Sequence, residues 1–391
     1  MCVFRERRRE RTKTNSVYLT DQFFIPTLQQ EILEAAHEED IPALSAIFLD
    51  PDVGILNYLK ETSNVFAKDV QAARAKAFDA ITKHIERVGQ NQSSSNAREM
   101  RDLCMQQFRS EQQNTTKAAA LGPIIALFGM QLPFEATEEE LKKVGESLRR
   151  DYERTAKTPT VKSLILKACA ALHANFDVDY KEEDAARDAH PRWLINKALG
   201  ILDDQIGSAD SDDDDDVENE EEVKGASGKE KKKIDMVLIS GALEAIASSL
   251  QSVPDKISTS SRKALSKILL KALEPPSYGQ RSEVPKSAMK VVECVGAILK
   301  KEFIEFAPEI FEKLLELRVC SNKDLTRNAM VSLDAFLITL RDALMDNTLF
   351  EESKRIETMK SMMGKVKELL ETRSRVDGYG PRNGSPLRCL G

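Results

Sequence analysis

Two stretches of the sequence, SEVPKSAMKVVECV at residues 282–295 and KDLTRNAMVSLDAF at residues 323–336, repeat one pattern 41 residues apart. Without a gap, acid aligns with acid, base with base and Ala-Met with Ala-Met. Each copy carries an apolar stripe at helical spacing, which is Val284, Ala288, Val292 and Val295 in the first and Leu325, Ala329, Leu333 and Phe336 in the second. The repetition predicts two helices in equivalent surroundings.

Helix pairs that recur about every 40 residues are typical of HEAT and armadillo arrays. One pair cannot bury its own apolar stripe, whereas stacked pairs bury each other's. Ala288 and Ala329 are small enough to let neighbouring helices approach closely. The rest of the chain has helical periodicity and no convincing strand pattern. One helix is predicted over residues 283–303, which include the first copy of the repeat. We therefore predict an all-α fold, a HEAT/armadillo-like α-solenoid of stacked helix pairs with a disordered acidic insert.

Changes in composition divide the chain into five predicted segments. They are a basic polar segment at 1–25, a first solenoid block at 26–206, a disordered acidic and Lys-rich linker at 207–233, a second solenoid block at 234–373 and a disordered tail at 374–391. The linker has no apolar periodicity, so it buries nothing that could offset the entropy of ordering it.

The net charge of -7 is concentrated in one part of the chain. Residues 203–222 contain twelve acidic and no basic side chains, and without them the net charge becomes +5. Mild basicity permits a nucleic-acid partner without requiring one. The acidic run is either a solvated linker or a regulatory tract in which phosphorylated Ser211 would repel DNA. The Arg-rich start, interrupted by Glu6 and Glu10, leaves a localisation or nucleic-acid patch as an open alternative.

The motifs of common enzyme classes are missing from the sequence. It has no phosphate-binding P-loop, no zinc-protease helix motif, no hydrolase elbow and no kinase motif. The four histidines at 37, 84, 173 and 190 are dispersed, and we expect them on helix surfaces or caps. The six cysteines form no C-x-x-C pair, which favours buried thiols. We predict no enzyme, catalytic residue, cofactor or metal, and expect Trp193 to pack in the core.

Three further stretches carry a family resemblance, namely ISGALEAIASSL at 239–250, ILLKALEPPSYGQRSEVPKSAMKVV at 268–292 and FAPEIFEKLLELRVCSNKDLTRNAMVSLDAFL at 306–337. Together they resemble the N-terminal HEAT-repeat region of the DNA-dependent protein kinase catalytic subunits, within the phosphatidylinositol 3-kinase-related kinase family. The similarity is carried by residues 234–371 and extends more weakly back to residue 96.

The resemblance implies a role in DNA double-strand break repair. In that family the N-terminal arm helps to form the cradle for a DNA end presented by the Ku heterodimer in nonhomologous end joining. It also implies a nuclear location, and a serine/threonine kinase domain only in a longer parent, so no catalytic residue carries over. Candidate DNA-facing residues are Lys286, Lys290, Lys300, Lys301 and Arg327.

An alternative is a general HEAT/armadillo protein-protein interaction adaptor unrelated to DNA repair. No apolar run of 18 residues occurs, so we expect no membrane association and, apart from the resemblance, a cytosolic protein. Oligomeric state, superhelix curvature, the binding face and membership of a larger kinase stay open from sequence alone.

Overall fold

The computed structural model describes the greater part of the chain. The described residues are 45–46, 48–50, 52, 54–63, 65–89, 93–130, 138–154, 158–175, 190–206, 235–252, 259–274, 283–295, 300–320, 322–345 and 351–376. Across these ranges the backbone forms thirteen α-helices and no strand. The prediction of an all-α helical repeat is therefore confirmed.

The helices belong to two compact units. The first contains α1 Ile55–Glu61, α2 Lys68–Val88, α3 Ser94–Ser110, α4 Asn114–Gly129, α5 Glu138–Arg154, α6 Pro159–Asn175, α7 His190–Ile206 and α8 Met236–Ser252. The second contains α9 Thr259–Ala272, α10 Glu283–Val295, α11 Lys300–Arg318, α12 Lys323–Met345 and α13 Glu352–Val376. Polar caps begin several of them. For example, the Asn322 side chain accepts the backbone N–H of Leu325 at 3.2 Å at the start of α12.

In the first unit the even-numbered helices α2, α4, α6 and α8 stack side by side, and α3 and α5 pair with α4 and α6 respectively. Small residues permit the close approach. A Cβ added at Gly241 on α8 would overlap the Ser163 side chain on α6. A Cβ added at Gly122 on α4 would lie 2.9 Å from the Thr82 hydroxyl on α2. The stack therefore depends on missing side-chain volume as well as on apolar burial.

In the second unit α9, α11 and α13 form one layer, and α10 and α12 form the other. The helices pair as hairpins, α9 with α10 and α11 with α12. The repeated stripe faces the interior as predicted, since Ala288 and Ala329 are both fully buried. The Ser332 hydroxyl of α12 donates to the Glu293 carboxylate of α10 at 2.5 Å, which joins the two repeats directly.

The predicted helix at 283–303 corresponds to two elements, Glu283–Val295 and Lys300–Arg318, and residues 296–299 between them lie outside the described residues. The division between the two compact units differs from the expected one. Helix α8, which lies in the predicted second block, packs on α6, so the division between units falls after Lys256 rather than at the acidic run. The predicted segments 1–25 and 207–233 lie outside the described residues. Of the predicted tail at 374–391, residues 374–376 belong to the last helix and the rest lies outside the described residues.

Candidate functional site

The most elaborate polar contact in the first unit surrounds Arg74 of α2. Its side chain is fully buried and donates to the Leu59 carbonyl at 2.8 Å, the Thr62 hydroxyl at 2.7 Å and the Gln107 side chain at 2.6 Å. It also forms an ion pair with Glu111, whose side chain is only 1% exposed. Leu59 lies in the last turn of α1, where free carbonyls favour a cation.

This network joins α1, α2 and α3 and has no opening for a substrate. The Glu111 Oε2 atom is buried without a hydrogen-bond partner in the described part of the chain, so the carboxylate depends on Arg74 for compensation. The network is not among the features predicted from the sequence. The signal that could have indicated it is the position of Arg74 between Val70 and Phe78 on the apolar stripe of α2. We interpret the network as a structural contact that holds α1, α2 and α3 together.

A second cluster combines aromatic rings with cations where α5, α6 and α7 meet. Tyr152 packs edge-on against Trp193, with ring centroids 5.7 Å apart. The Lys162 and Lys197 ammonium groups lie 5.5 Å and 5.3 Å from the Tyr152 ring centre, and the Arg149 guanidinium lies 5.5 Å from that of Trp193. We call these five residues the aromatic-basic cluster. Trp193 is only partly buried, so it packs at the edge of the core rather than inside it.

One cation of this cluster, the Lys197 ammonium, lies partly at the surface. Lys197 is 37% exposed, and its ion pair with Glu153 at 3.3 Å lies at the surface, where such pairs contribute little. Burial, with a smaller effect from Glu153, raises the pKa of Tyr152 to about 12, so its phenol stays neutral and keeps its proton at physiological pH. The arrangement can present cations and an aromatic ring to an anionic partner.

A groove of about 590 Å³ runs between α3 and α5. Its lining includes Arg101, Asp102, Met105, Arg109, Lys143 and Val144. Arg109 of α3 joins the two helices across the groove, because it donates to the Asp151 carboxylate of α5 at 3.1 Å and also contacts Ser147. Basic and apolar side chains line the groove together. This arrangement suits an extended peptide segment better than a small molecule.

The residues that the resemblance implied would face DNA differ in their exposure to solvent. Lys286 is partly buried and pairs with Glu283 on its own helix at 3.6 Å, whereas Lys290 and Arg327 are exposed. Lys286 and Arg327 occupy equivalent positions on the stacked helices α10 and α12. Lys300 and Lys301 begin α11, and their side chains lie outside the described residues.

The histidines and cysteines do not form a reactive site in the described residues. His84 and His173 were expected on helix surfaces or caps, but both are buried, and the Phe48 ring stacks on that of His84 with centroids 4.4 Å apart. His37 and the side chain of His190 lie outside the described residues. Burial raises the pKa of the Cys104 and Cys169 thiols far above its usual range, so both stay protonated and unreactive. No group of three potential metal ligands occurs within the described ranges.

None of the helices in the part of the chain that the structure describes is both long enough and apolar enough to cross a membrane.

Comparisons with known proteins find one curated relative and several solved structures to which the chain is similar. It is 21% identical over 284 residues to the DNA-dependent protein kinase catalytic subunit of Dictyostelium discoideum, and the match covers 72% of this chain and 6% of that protein. No family model matches the chain. A designed armadillo repeat protein is 16% identical with a TM-score of 0.37, covering 72% of this chain and 99% of its own. An engineered protein is 12% identical with a TM-score of 0.36, covering 77% of this chain and 97% of its own. The described helices of the chain form a HEAT-like helical repeat region.

Proposed function

We propose that this chain is a scaffold in DNA double-strand break repair that binds DNA ends together with the Ku heterodimer in nonhomologous end joining. The observation that supports this most is the similarity to the DNA-dependent protein kinase catalytic subunit, which extends over 284 residues and both compact units. The chain spans 6% of the length of that relative, so a parent kinase and a nuclear location are part of the proposal.

The aromatic-basic cluster supplies the chemistry for the nucleic-acid part of this function. Lys162 and Lys197 would bind backbone phosphates, and the exposed part of Trp193 would contact a base or sugar near a frayed end. Phosphate contacts release counterions, so binding through them must weaken as salt rises.

The test is a titration of this chain, with and without Ku, into a fluorescent duplex that has one free end and one hairpin-capped end. We expect the chain to bind this duplex, more tightly with Ku and more weakly as salt rises. A competitor duplex capped at both ends should not displace it. Combined Lys162→Ala and Lys197→Ala should lower the salt slope by roughly 0.9 for each phosphate that the variant no longer binds. Lys360→Ala, an exposed lysine of α13, is the matched control.

Equal binding to the capped duplex, or no DNA binding with Ku present, would contradict the proposal. End-specific binding that the two lysine changes do not alter would contradict only the assignment to the aromatic-basic cluster. An immunoblot for the endogenous protein addresses the parent kinase separately, because a band near 43.8 kDa would exclude a giant polypeptide in that cell.

A general protein-protein adaptor is the second candidate, and the groove between α3 and α5 supports it. A peptide partner there would bind whether or not DNA ends are present. Arg109→Ala would weaken such binding because it removes the side chain that bonds to Asp151 and Ser147 and holds the groove wall. The same substitution should leave DNA binding unchanged.

A further inference from the structure

The polypeptide that joins α7 to α8 begins and ends at one place. α7 ends at Ile206, α8 begins at Met236, and residues 207–234 lie outside the described part of the chain. The two ends of this segment are in contact, because the backbone N–H of Asp235 donates to the side-chain oxygen of Gln205 at 2.9 Å. The segment therefore starts and finishes beside the last turn of α7.

This segment contains most of the acidic residues that concentrate the negative charge of the chain. Residues 210–222 include ten Asp and Glu side chains and no Lys or Arg, and five of the aspartates are consecutive at 212–216. We call residues 210–222 the acidic run. Like charges at this density repel one another, and cations stabilise them only at short range, because salt screens charges that are further apart.

The aromatic-basic cluster offers cations that lie close together. The Lys162 and Lys197 ammonium groups both lie within 5.5 Å of the Tyr152 ring centre. The carboxylate that pairs with Lys197 at 3.3 Å is Glu153, which is exposed, so the pair contributes little and another carboxylate can replace it. The charge of this cluster is therefore complementary to that of the acidic run.

The acidic run begins within reach of this cluster. Lys197 lies on α7, the helix from which the segment emerges, and precedes Ile206 by nine residues, about 14 Å along the helix axis. Four extended residues span about 13 Å, so the aspartates at 212–216 reach Lys197 without any change in the described helices. Because both ends of the segment are fixed beside α7, the effective concentration of the run at the cluster is on the order of millimolar.

We propose that the acidic run at 210–222 binds the aromatic-basic cluster of the same chain and competes there with the phosphates of DNA. Its carboxylates contact the Lys162 and Lys197 ammonium groups in the places that phosphates would take. This contact needs no DNA. The competition rests on the proposed function, because it requires that DNA binds at this cluster. DNA binding then includes release of the run, so the affinity of the intact chain is lower than that of the uncovered cluster.

The contact is tested without DNA by carbodiimide cross-linking of the full chain, which joins a carboxylate to an amine that touches it. We expect mass spectrometry to find cross-links from the acidic run to Lys162 and Lys197, and high salt to abolish them. Lys68 is the control, because it is an exposed lysine of α2, and α4 lies between α2 and α6. It should not be linked to the run.

The competition is tested with the duplex titration described above. Asparagine in place of the five aspartates at 212–216 should tighten DNA binding by about threefold, because it removes the competing anion. In a chain that also carries Lys162→Ala and Lys197→Ala, the same change should leave the affinity unaltered. Glutamine in place of Glu351, Glu352 and Glu357 is the control, because these exposed acids lie on or beside α13. It should not tighten binding.

Two results would overturn the proposal. One is a set of cross-links confined to the Lys-rich stretch at 224–233, which would show that the run pairs with its own neighbours in sequence. The other is an equal gain in DNA affinity with and without Lys162 and Lys197, which would show that the run acts by general charge repulsion. Cross-links to the cluster in a chain that binds no DNA would support the contact and contradict the proposed function, so the two failures are distinguishable.

Discussion

Arg74 of α2 and Met330 of α12 reverse the usual relation between polarity and burial. The arginine side chain is fully buried, while the methionine is 46% exposed. Arg74 donates five hydrogen bonds to acceptors at the ends of α1 and α3, and two of the five go to the Glu111 carboxylate. Met330 lies on α12, whose main contacts among the described helices are with α10 and α11.

The difference shows that position in the stack decides burial in this fold. A helix enclosed by neighbours must find partners for every polar group it carries, because an unpaired buried charge costs several kcal/mol. A side of a helix that no described neighbour covers exposes whatever residues it contains. Charge inside and apolar surface outside are therefore both consequences of stacking, and each can be tested by substitution.

The largest expected effect comes from breaking the buried junction. Arg74→Ala leaves the Glu111 carboxylate buried without its cation, and we expect the free energy of unfolding of the first unit to fall by about 3–5 kcal/mol. The single tryptophan, Trp193, lies in this unit, so its fluorescence during urea unfolding reports the change.

A double variant separates the ion pair from its packing. Arg74→Met with Glu111→Leu removes both charges and keeps most of the volume, so it should cost much less than Arg74→Ala. If the double variant unfolds as easily as the single one, the carboxylate is not what makes the removal of Arg74 costly.

The next effect sharpens the comparison at equivalent positions of the repeat. Met289→Ala opens a cavity at a buried site and should lower the local unfolding free energy of α10–α12 by about 2–5 kcal/mol. Met330→Ala removes the same atoms from an exposed site and should change it by no more than about 0.5 kcal/mol. Hydrogen exchange of the backbone amides in these two helices measures both. Equal effects would mean that Met330 is covered in solution.

The smallest effect tests the close stack of the first unit. Gly241→Ala places a methyl group against Ser163, and the overpacking should cost about 1–3 kcal/mol by the same Trp193 fluorescence assay. Gly200→Ala on α7 is the control, because nothing lies within 4 Å of the added atom. There we expect a gain of about 0.5–1 kcal/mol from the better helix former. A destabilisation at Gly200 equal to that at Gly241 would contradict the close approach.

Prediction from the sequence succeeded where the signal is local and periodic. Ala288 and Ala329 lie on the two stripes that were predicted to be buried, and both are fully buried, because a helix of this period must cover its apolar face. Prediction failed for His84, which is fully buried. The environment of a lone histidine depends on side chains distant in sequence, such as Ser45, whose hydroxyl lies 3.3 Å from the His84 ring.

By itself the sequence determined an all-α repeat with a 41-residue period, a concentrated acidic run and no recognisable catalytic motif. These properties follow from the spacing and type of neighbouring residues. Only the tertiary structure decided that α8 belongs with α6, that Glu111 compensates Arg74, that Trp193 meets Tyr152 and that Met330 is exposed where Met289 is buried. The reason is physical: periodicity specifies that a face must be covered, whereas the partner that covers it depends on contacts between helices far apart in the chain.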